Sequence, residues 1–165
     1  MNFALQDFAA YNPIDKVEGI FGNNNFELER RDANEVVVAI KGKWNDLLLF
    51  FTWEPNVNCL HFSCLLDVKA QIEDKNKIFE LFTLINQEMW MGHFSYWPEE
   101  QMPIFKHSLF VEQNEDVFEK KLSQLTELGV KECERMYPIF KAVMQRGMEP
   151  ARAVGPLTME TVGNA

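Results

Sequence analysis

MWMGHFSYWPEEQMPIFKHSLF, residues Met89 to Phe110, is the stretch whose reading decides the fold. Two runs dense in β-prone aromatics flank Pro98, Glu99, Glu100 and Gln101. Four turn-type residues between such runs, one of them proline, predict a β-hairpin with a loop of ordinary length. Each arm carries a histidine, His93 in the first and His107 in the second. A three-residue loop sets these two imidazoles directly opposite each other, whereas a shift of one residue sends them to opposite faces of the sheet.

Upstream of the hairpin, Ile78, Phe82, Ile85 and Met89 recur at helical spacing while Lys77, Glu80, Thr83 and Gln87 fall off that stripe, predicting an amphipathic helix over 72–89. Earlier still, Phe26 and Leu28 alternate with Glu27 and Glu29, and Val36, Val38 and Ile40 with Glu35, Val37 and Ala39, around a turn at Asp32-Ala33-Asn34. Residues 44–53 read as a third strand in which Leu47 to Phe51 are all apolar, the pattern of a central strand covered on both faces. Glu54-Pro55-Asn56 turns the chain into a fourth strand over 57–67, and such short connections predict an antiparallel meander. Asn12-Pro13-Ile14-Asp15 opens a short first helix, with Asn as cap, Pro at the first helical position and a carboxylate in the first turn. Gly22 and the three asparagines after it supply the stop.

Downstream, Asn114, Glu115 and Asp116 start a last helix whose stripe runs through Phe118, Leu122, Leu125, Gly129, Cys133, Met136, Tyr137, Phe140 and Met144. Pro138 removes a helical hydrogen bond and predicts a kink or a break. The order α-β-β-β(β)-α-β-β-α describes an α+β two-layer sandwich, a mostly antiparallel sheet covered by helices. Residues 1–148 read as a single domain, and 149–165 as a C-terminal tail with room for a short helix between Glu149 and Gly155.

A chain of 165 residues suits one domain burying roughly 70% of its extended surface. With 47% hydrophobic residues, including 14 Phe and 4 Trp, it needs no metal or disulfide to fold. A formal net charge of -9 repels a phosphate backbone and excludes nucleic acid as the expected partner. Cys59, Cys64 and Cys133 are odd in number and scattered, which fits a reducing cytoplasm rather than a secreted disulfide framework. The first residues show no basic segment leading into an apolar run, and the longest later apolar run, Leu47 to Trp53, falls far short of about 18 residues. Neither export nor a membrane span is expected.

Cys59, His61 and Cys64 are residue types that suit zinc, but on a strand Cys59 and His61 share one face and Cys64 takes the other. Small buried thiols are the plainer reading. His93 and His107 define the alternative reading, a small-molecule or metal-binding protein and with it an enzyme. A zinc site needs three or four protein ligands, however, and no third is placed. Asp46, Asp67, Glu99 and Glu100 lie near strand ends with nothing to set their mutual distances, and no nucleophile-elbow, phosphate-loop, dinucleotide or zinc-protease motif occurs. No catalytic, cofactor or metal residue is assigned. The chain nevertheless carries more large apolar side chains than three covering helices need, among them Trp44, Trp90 and Phe110, so part of that surface is expected at a partner. Trp53, Phe94, Trp97 and Phe105 are the expected partner contacts, with surrounding acids favouring a basic or amphipathic partner. The expected function is a non-enzymatic, cofactor-free cytoplasmic adaptor, regulatory or chaperone-like, that holds an extended or helical segment of a protein client.

Gly42-Lys43-Trp44, Leu84-Ile85-Asn86, Trp90-Met91-Gly92-His93-Phe94, Pro103-Ile104-Phe105-Lys106-His107, Glu132-Cys133-Glu134-Arg135-Met136-Tyr137-Pro138 and the ending Glu160 to Ala165 resemble the YbjN family of bacterial proteins labelled sensory transduction regulators. The chain is similar to the alphaproteobacterial branch of that family over nearly its whole length. The resemblance implies a fold like that of type III secretion chaperones, dimerisation, and a C-terminal tail that belongs to the domain. Against the family's layout one early strand is in excess, so 26–31 or 35–41 is expected to be a short edge. No catalytic residue is implied.

Overall fold

The computed structural model describes residues 12–24, 26–111 and 115–155. The expected start of the last helix at Asn114 and the end of the tail, 156–165, lie outside the described residues. Helix α1 (Pro13–Asn23) begins as anticipated: the Asn12 side chain accepts from the Ile14 amide at 3.0 Å, and Ile14, Val17 and Phe21 turn inward. Asn12 also donates to the Ala33 carbonyl at 2.7 Å. That bond ties the helix start to the turn between β1 (Glu27–Asp32) and β2 (Glu35–Lys41). Strand β3 (Asp46–Glu54), a single 3-10 turn (Pro55–Val57) and β4 (Cys59–Leu65) follow. Helix α2 (Lys75–Gln87), capped by Asp74, leads to β5 (His93–Trp97), β6 (Met102–Phe110) and α3 (Glu115–Met144). Residues 150–155 are helical again.

The six strands form one antiparallel sheet in the order β1-β2-β3-β4-β6-β5, so the second arm of the hairpin, not the first, lies beside β4. Cross-strand registers carry Val38, Leu49, Cys64, Phe105 and Phe94 across the sheet in one row, and Val36, Phe51, Phe62 and His107 in the next. These rows face the helices. α1 packs on β1 to β3, α3 on β4 and β6, and α2 on β5. Aromatic rings link the three helices through the core: Phe21–Phe51 at 5.3 Å, Phe51–Phe62 at 5.2 Å, Phe105–Phe94 at 5.5 Å, Phe94–Phe140 at 5.0 Å and Phe140–Phe82 at 5.2 Å between centroids. Burying each such ring contributes about 2–3 kcal/mol.

Two expectations change. β3 is covered on one face only: Leu47, Leu49, Phe51 and Trp53 are buried beneath helices, whereas Leu48 is 38% exposed and Phe50 half-buried on the other side. Its unbroken apolar run therefore marks an apolar but uncovered face rather than a second helical layer. Trp44, expected to begin the strand, lies in the turn before it and stacks on Tyr137 of α3 at 5.8 Å.

Pro138 does not break α3, which runs from Glu115 through Met144 with the proline inside. Proline at 138 leaves the carbonyl of residue 134 without its helical donor. The Trp44 indole N–H supplies one, at 3.1 Å from the Glu134 oxygen, while the Lys43 amide donates to the Glu134 carboxylate at 2.8 Å. Further along the helix, Gly129 allows close contact with the sheet, since a Cβ there would sit 2.3 Å from Phe62 Cε1.

Gly129→Ala should lower stability by about 1–3 kcal/mol in urea unfolding, because overpacking against a buried ring outweighs the ~1 kcal/mol gain in helix propensity. Trp44→Phe keeps an aromatic ring but removes the donor, and should cost about 0.5–1.5 kcal/mol. Pro138→Ala restores a helical N–H for that carbonyl. A double-mutant cycle should accordingly show the loss at Trp44 shrinking when residue 138 is alanine.

Candidate functional site

The hairpin pairs Trp97 with Met102 across the four turn residues 98–101, and Gln101 adopts a positive φ of 58°. In this register His93 opposes Lys106, and His107 opposes Phe62 on the other neighbour. The two histidines thus project from opposite faces and cannot form the facing pair on which a His93 and His107 site depends. Cys59 and His61 point to the uncovered face while Cys64 is buried beside Cys133, so the three do not converge. Among the described residues no group of three His, Cys, Asp or Glu side chains could hold a metal ion. Asp46 opens β3, Asp67 follows β4, and Glu99 and Glu100 sit in the hairpin turn.

The expected partner contacts divide sharply. Trp53, Phe94 and Phe105 are 4%, 2% and 0% exposed and belong to the core, so they present no surface to a partner. Trp97 is half-buried on the uncovered face, where its ring meets the edge of Phe50 at 6.2 Å. Together they border a depression of about 420 Å³ that also involves Glu35, His61, Ile104 and Lys106, with Glu99 at its rim. The Arg31 guanidinium lies 5.2 Å from the centre of the Phe50 ring and pairs with Glu35 at 3.4 Å, and Thr52 donates to the same carboxylate at 3.0 Å. His61 Nδ1 and Ser108 Oγ are 2.7 Å apart. Burial, then the nearby Lys106 and the other two histidines, holds the His61 pKa below the usual imidazole range. Burial and then His93 lower that of His107. His107 lies beneath the helices, so of the two only His61 belongs to this face, which combines an apolar floor with the Arg31–Glu35 pair, Lys106 and, at the rim, Glu99.

A second feature lies at the sheet's rim. β5 ends at His93 because Gly92 turns the chain away with a φ of 71°, where a Cβ would stand 2.3 Å from the Phe105 ring. β6 continues to Phe110, so residues 107–110 have β4 on one side and no strand on the other among the described residues. The Leu66 amide donates to the Pro103 carbonyl, and the Val111 amide to that of Asn58. Odd-numbered residues of β6 therefore turn their amides to β4, and Ser108 and Phe110 turn theirs to the open rim. Other rims are guarded. β1 carries Glu27, Glu29, Arg30, Arg31 and Asp32 among its six residues. Along β5 the Asn86 side-chain amide stands in for a strand, accepting from the Phe94 N–H at 2.8 Å and donating to its carbonyl at 2.9 Å. Beside the bare segment runs an apolar groove of about 670 Å³ between β6 and α3, bordered by Met91, Leu109 and Leu128. Trp90 is 97% and Phe110 73% exposed at the same end of the sheet.

Neither Asn86 nor the bare segment was singled out from sequence. The signal for the second was present in the unequal arms of the hairpin, since the shorter arm, bounded by Gly92, has no residue left to pair with the uncharged His-Ser-Leu-Phe ending of the longer one.

No helix among the described residues is long and apolar enough to cross a membrane. No curated protein and no solved structure matches the chain. The model of one family does match, that of YbjN, described as "Putative bacterial sensory transduction regulator", over residues 13–142. This span runs from the proline that opens α1 almost to the end of α3 and takes in every strand of the sheet, and by it the chain belongs to the YbjN family.

Proposed function

We propose that the protein is a non-enzymatic cytoplasmic regulator that works as a chaperone-like adaptor, holding an amphipathic segment of a partner protein on the uncovered face of its sheet. The observation that carries this reading is the one-sided placement of the helices. All three pack on a single face, yet the other face leaves Leu48, Phe50, Leu65 and Trp97 at least partly open, around the buried side chains of Val37 and Ile104. A sheet face that serves only to meet water alternates to polar residues instead. Around this apolar strip Lys106 and the Arg31–Glu35 pair provide both signs of charge, suited to the polar side of an amphipathic segment. The regulator description of the family supports a role in binding rather than turnover.

A photo-crosslinking residue at Trp97 or Leu48, introduced in the native host, should yield a discrete adduct with another protein. Phe50→Asp should reduce it tenfold or more, because a charge would lie in the centre of the contact. Adducts that contain only this chain, or none from either position, would sink the reading. A separate outcome concerns pH. Both imidazoles are harder to protonate folded than unfolded, where the pKa is near 6.5. The unfolded chain therefore binds more protons as pH falls below that value, and stability drops. Thermal melts should show the midpoint falling from pH 7 to 5.5, and falling less steeply in a His61→Gln, His107→Gln double variant.

A further inference from the structure

We propose that the place where the β2–β3 turn meets α3 is a binding site for a nucleoside monophosphate, with Trp44 taking the base and Lys141 and Arg146 the phosphate. This site is separate from the uncovered face of the sheet and does not depend on what binds there. Its walls come from two stretches far apart in sequence, Gly42-Lys43-Trp44 and Tyr137-Pro138. The Trp44 and Tyr137 rings lie nearly parallel, with 6° between their planes. The Lys43 ammonium stands 5.1 Å from the centre of the Trp44 ring, and that of Lys141 stands 5.7 Å from the centre of the Tyr137 ring. A pocket of about 210 Å³ opens beside them, bordered by Trp44, Tyr137, Pro138, Lys141 and Arg146.

Trp44 is held in place for such a role. The Gly42 amide donates to the Asn45 carbonyl at 3.1 Å, in a turn so tight that a Cβ at Gly42 would stand 2.6 Å from that oxygen. The indole N–H and the Lys43 amide are both tied to Glu134, so the ring cannot swing away without losing a bond. It nevertheless remains 49% exposed. A fixed ring with open surface offers a further flat ring a stacking platform, and its rigidity lowers the entropy lost on binding.

Charge decides what that flat ring carries. In a chain of net charge -9, Lys43, Lys141 and Arg146 gather around this one pair of rings. Arg30, Arg31, Lys77 and Arg135 each pair with a carboxylate, whereas none of these three does among the described residues. Glu134, the neighbouring acid, turns its carboxylate to the Lys43 amide and lines the adjacent crevice instead. Nor does the negative end of α3 oppose an anion. The carbonyls of residues 141–144 accept the amides of Gln145, Met148, Gly147 and Gln71 respectively. A guanidinium fork beside an ammonium matches the oxygens of a phosphate. The pocket is smaller than the roughly 300 Å³ at which drug-sized sites begin, which suits one base and one phosphate rather than a dinucleotide. Fields are screened beyond about 8 Å at physiological salt, so a mononucleotide answers mainly to these three cations, while a nucleic acid or an acidic peptide also meets the acidic remainder of the surface.

Isothermal titration of the full chain with 5′-AMP and 5′-GMP should show one site, at which the tighter of the two binds at least tenfold better than its nucleoside, which lacks the phosphate, and than inorganic phosphate, which lacks the ring. Of the four indole N–H resonances, that of Trp44 should be the one that shifts. The Lys141 and Arg146 side chains make no hydrogen bond or ion pair among the described residues, so Lys141→Gln and Arg146→Gln should leave far-UV circular dichroism unchanged. Each should weaken the nucleotide about tenfold, the loss of one charge-assisted bond. Failure of both nucleotides to bind overturns the proposal. So do equal affinities for the nucleotide and for its nucleoside or inorganic phosphate, binding that survives both charge substitutions, a shift confined to another indole, or tighter binding of a phosphoserine or polyglutamate peptide than of either nucleotide.

Discussion

Phe94 against Phe105 is the contact on which the arrangement of this molecule turns. The two residues oppose each other across the hairpin, their rings meet at 5.5 Å, and Phe94 also meets Phe140 of α3 at 5.0 Å. Sliding β5 by one residue would move Phe94 to the uncovered face and forfeit about 2–3 kcal/mol of burial. Nothing comparable rewards placing His93 opposite His107. The aromatic pair therefore selects the register, and the histidines are separated as a by-product. The same register puts the Phe94 amide groups at the outer rim, where Asn86 receives them. It also leaves the last four residues of β6 without a hairpin partner.

A sheet with helices on one face must manage three liabilities: its outer face and its two rims. β1 repels strand addition by charge, and Arg30 is itself drawn under α1 by Asp15 at 2.7 Å and Glu18 at 2.8 Å. β5 is short and capped by a side chain. Among the described residues, what remains unguarded is the apolar strip of the uncovered face and the end of β6. Aromatic excess alone does not identify them. Deeply buried rings such as Phe51, Phe62, Phe94 and Phe105 serve to join helices to the sheet, while exposed Trp90 and Phe110 stand at the rim.

Local chemistry was readable in the chain and long-range pairing was not. The Asn12-Pro13 helix start, the hairpin turn, the β1–β2 turn and the helical stripes of α2 and α3 each depend on a few neighbouring residues and appear close to where the spacing puts them, α2 being shorter than the expected 72–89 because Asp74 caps it and Glu88 ends it before Met89. A continuous apolar run such as Leu47 to Phe51 tells only that both sides of a strand are apolar; whether a helix or a partner covers the second side depends on how many helices the rest of the chain provides. Trp53, Phe94 and Phe105 were read as surface for the same reason, since burial is settled by elements far away in sequence. Pro138 shows the point from the other side. Its local meaning, a lost hydrogen bond, was correct, but Trp44, 94 positions away, supplies a substitute donor and the helix continues.

Alternation along β6 separates the roles this strand can hold. Lys106, Ser108 and Phe110 project to the uncovered face, His107 and Leu109 project beneath the helices, and the amides of Ser108 and Phe110 point sideways. Main-chain groups at the rim and side chains on the uncovered face are therefore separate sets: a substitution at Lys106 or Ser108 changes the face and leaves the outward amides of β6 in place, because the backbone alone directs them.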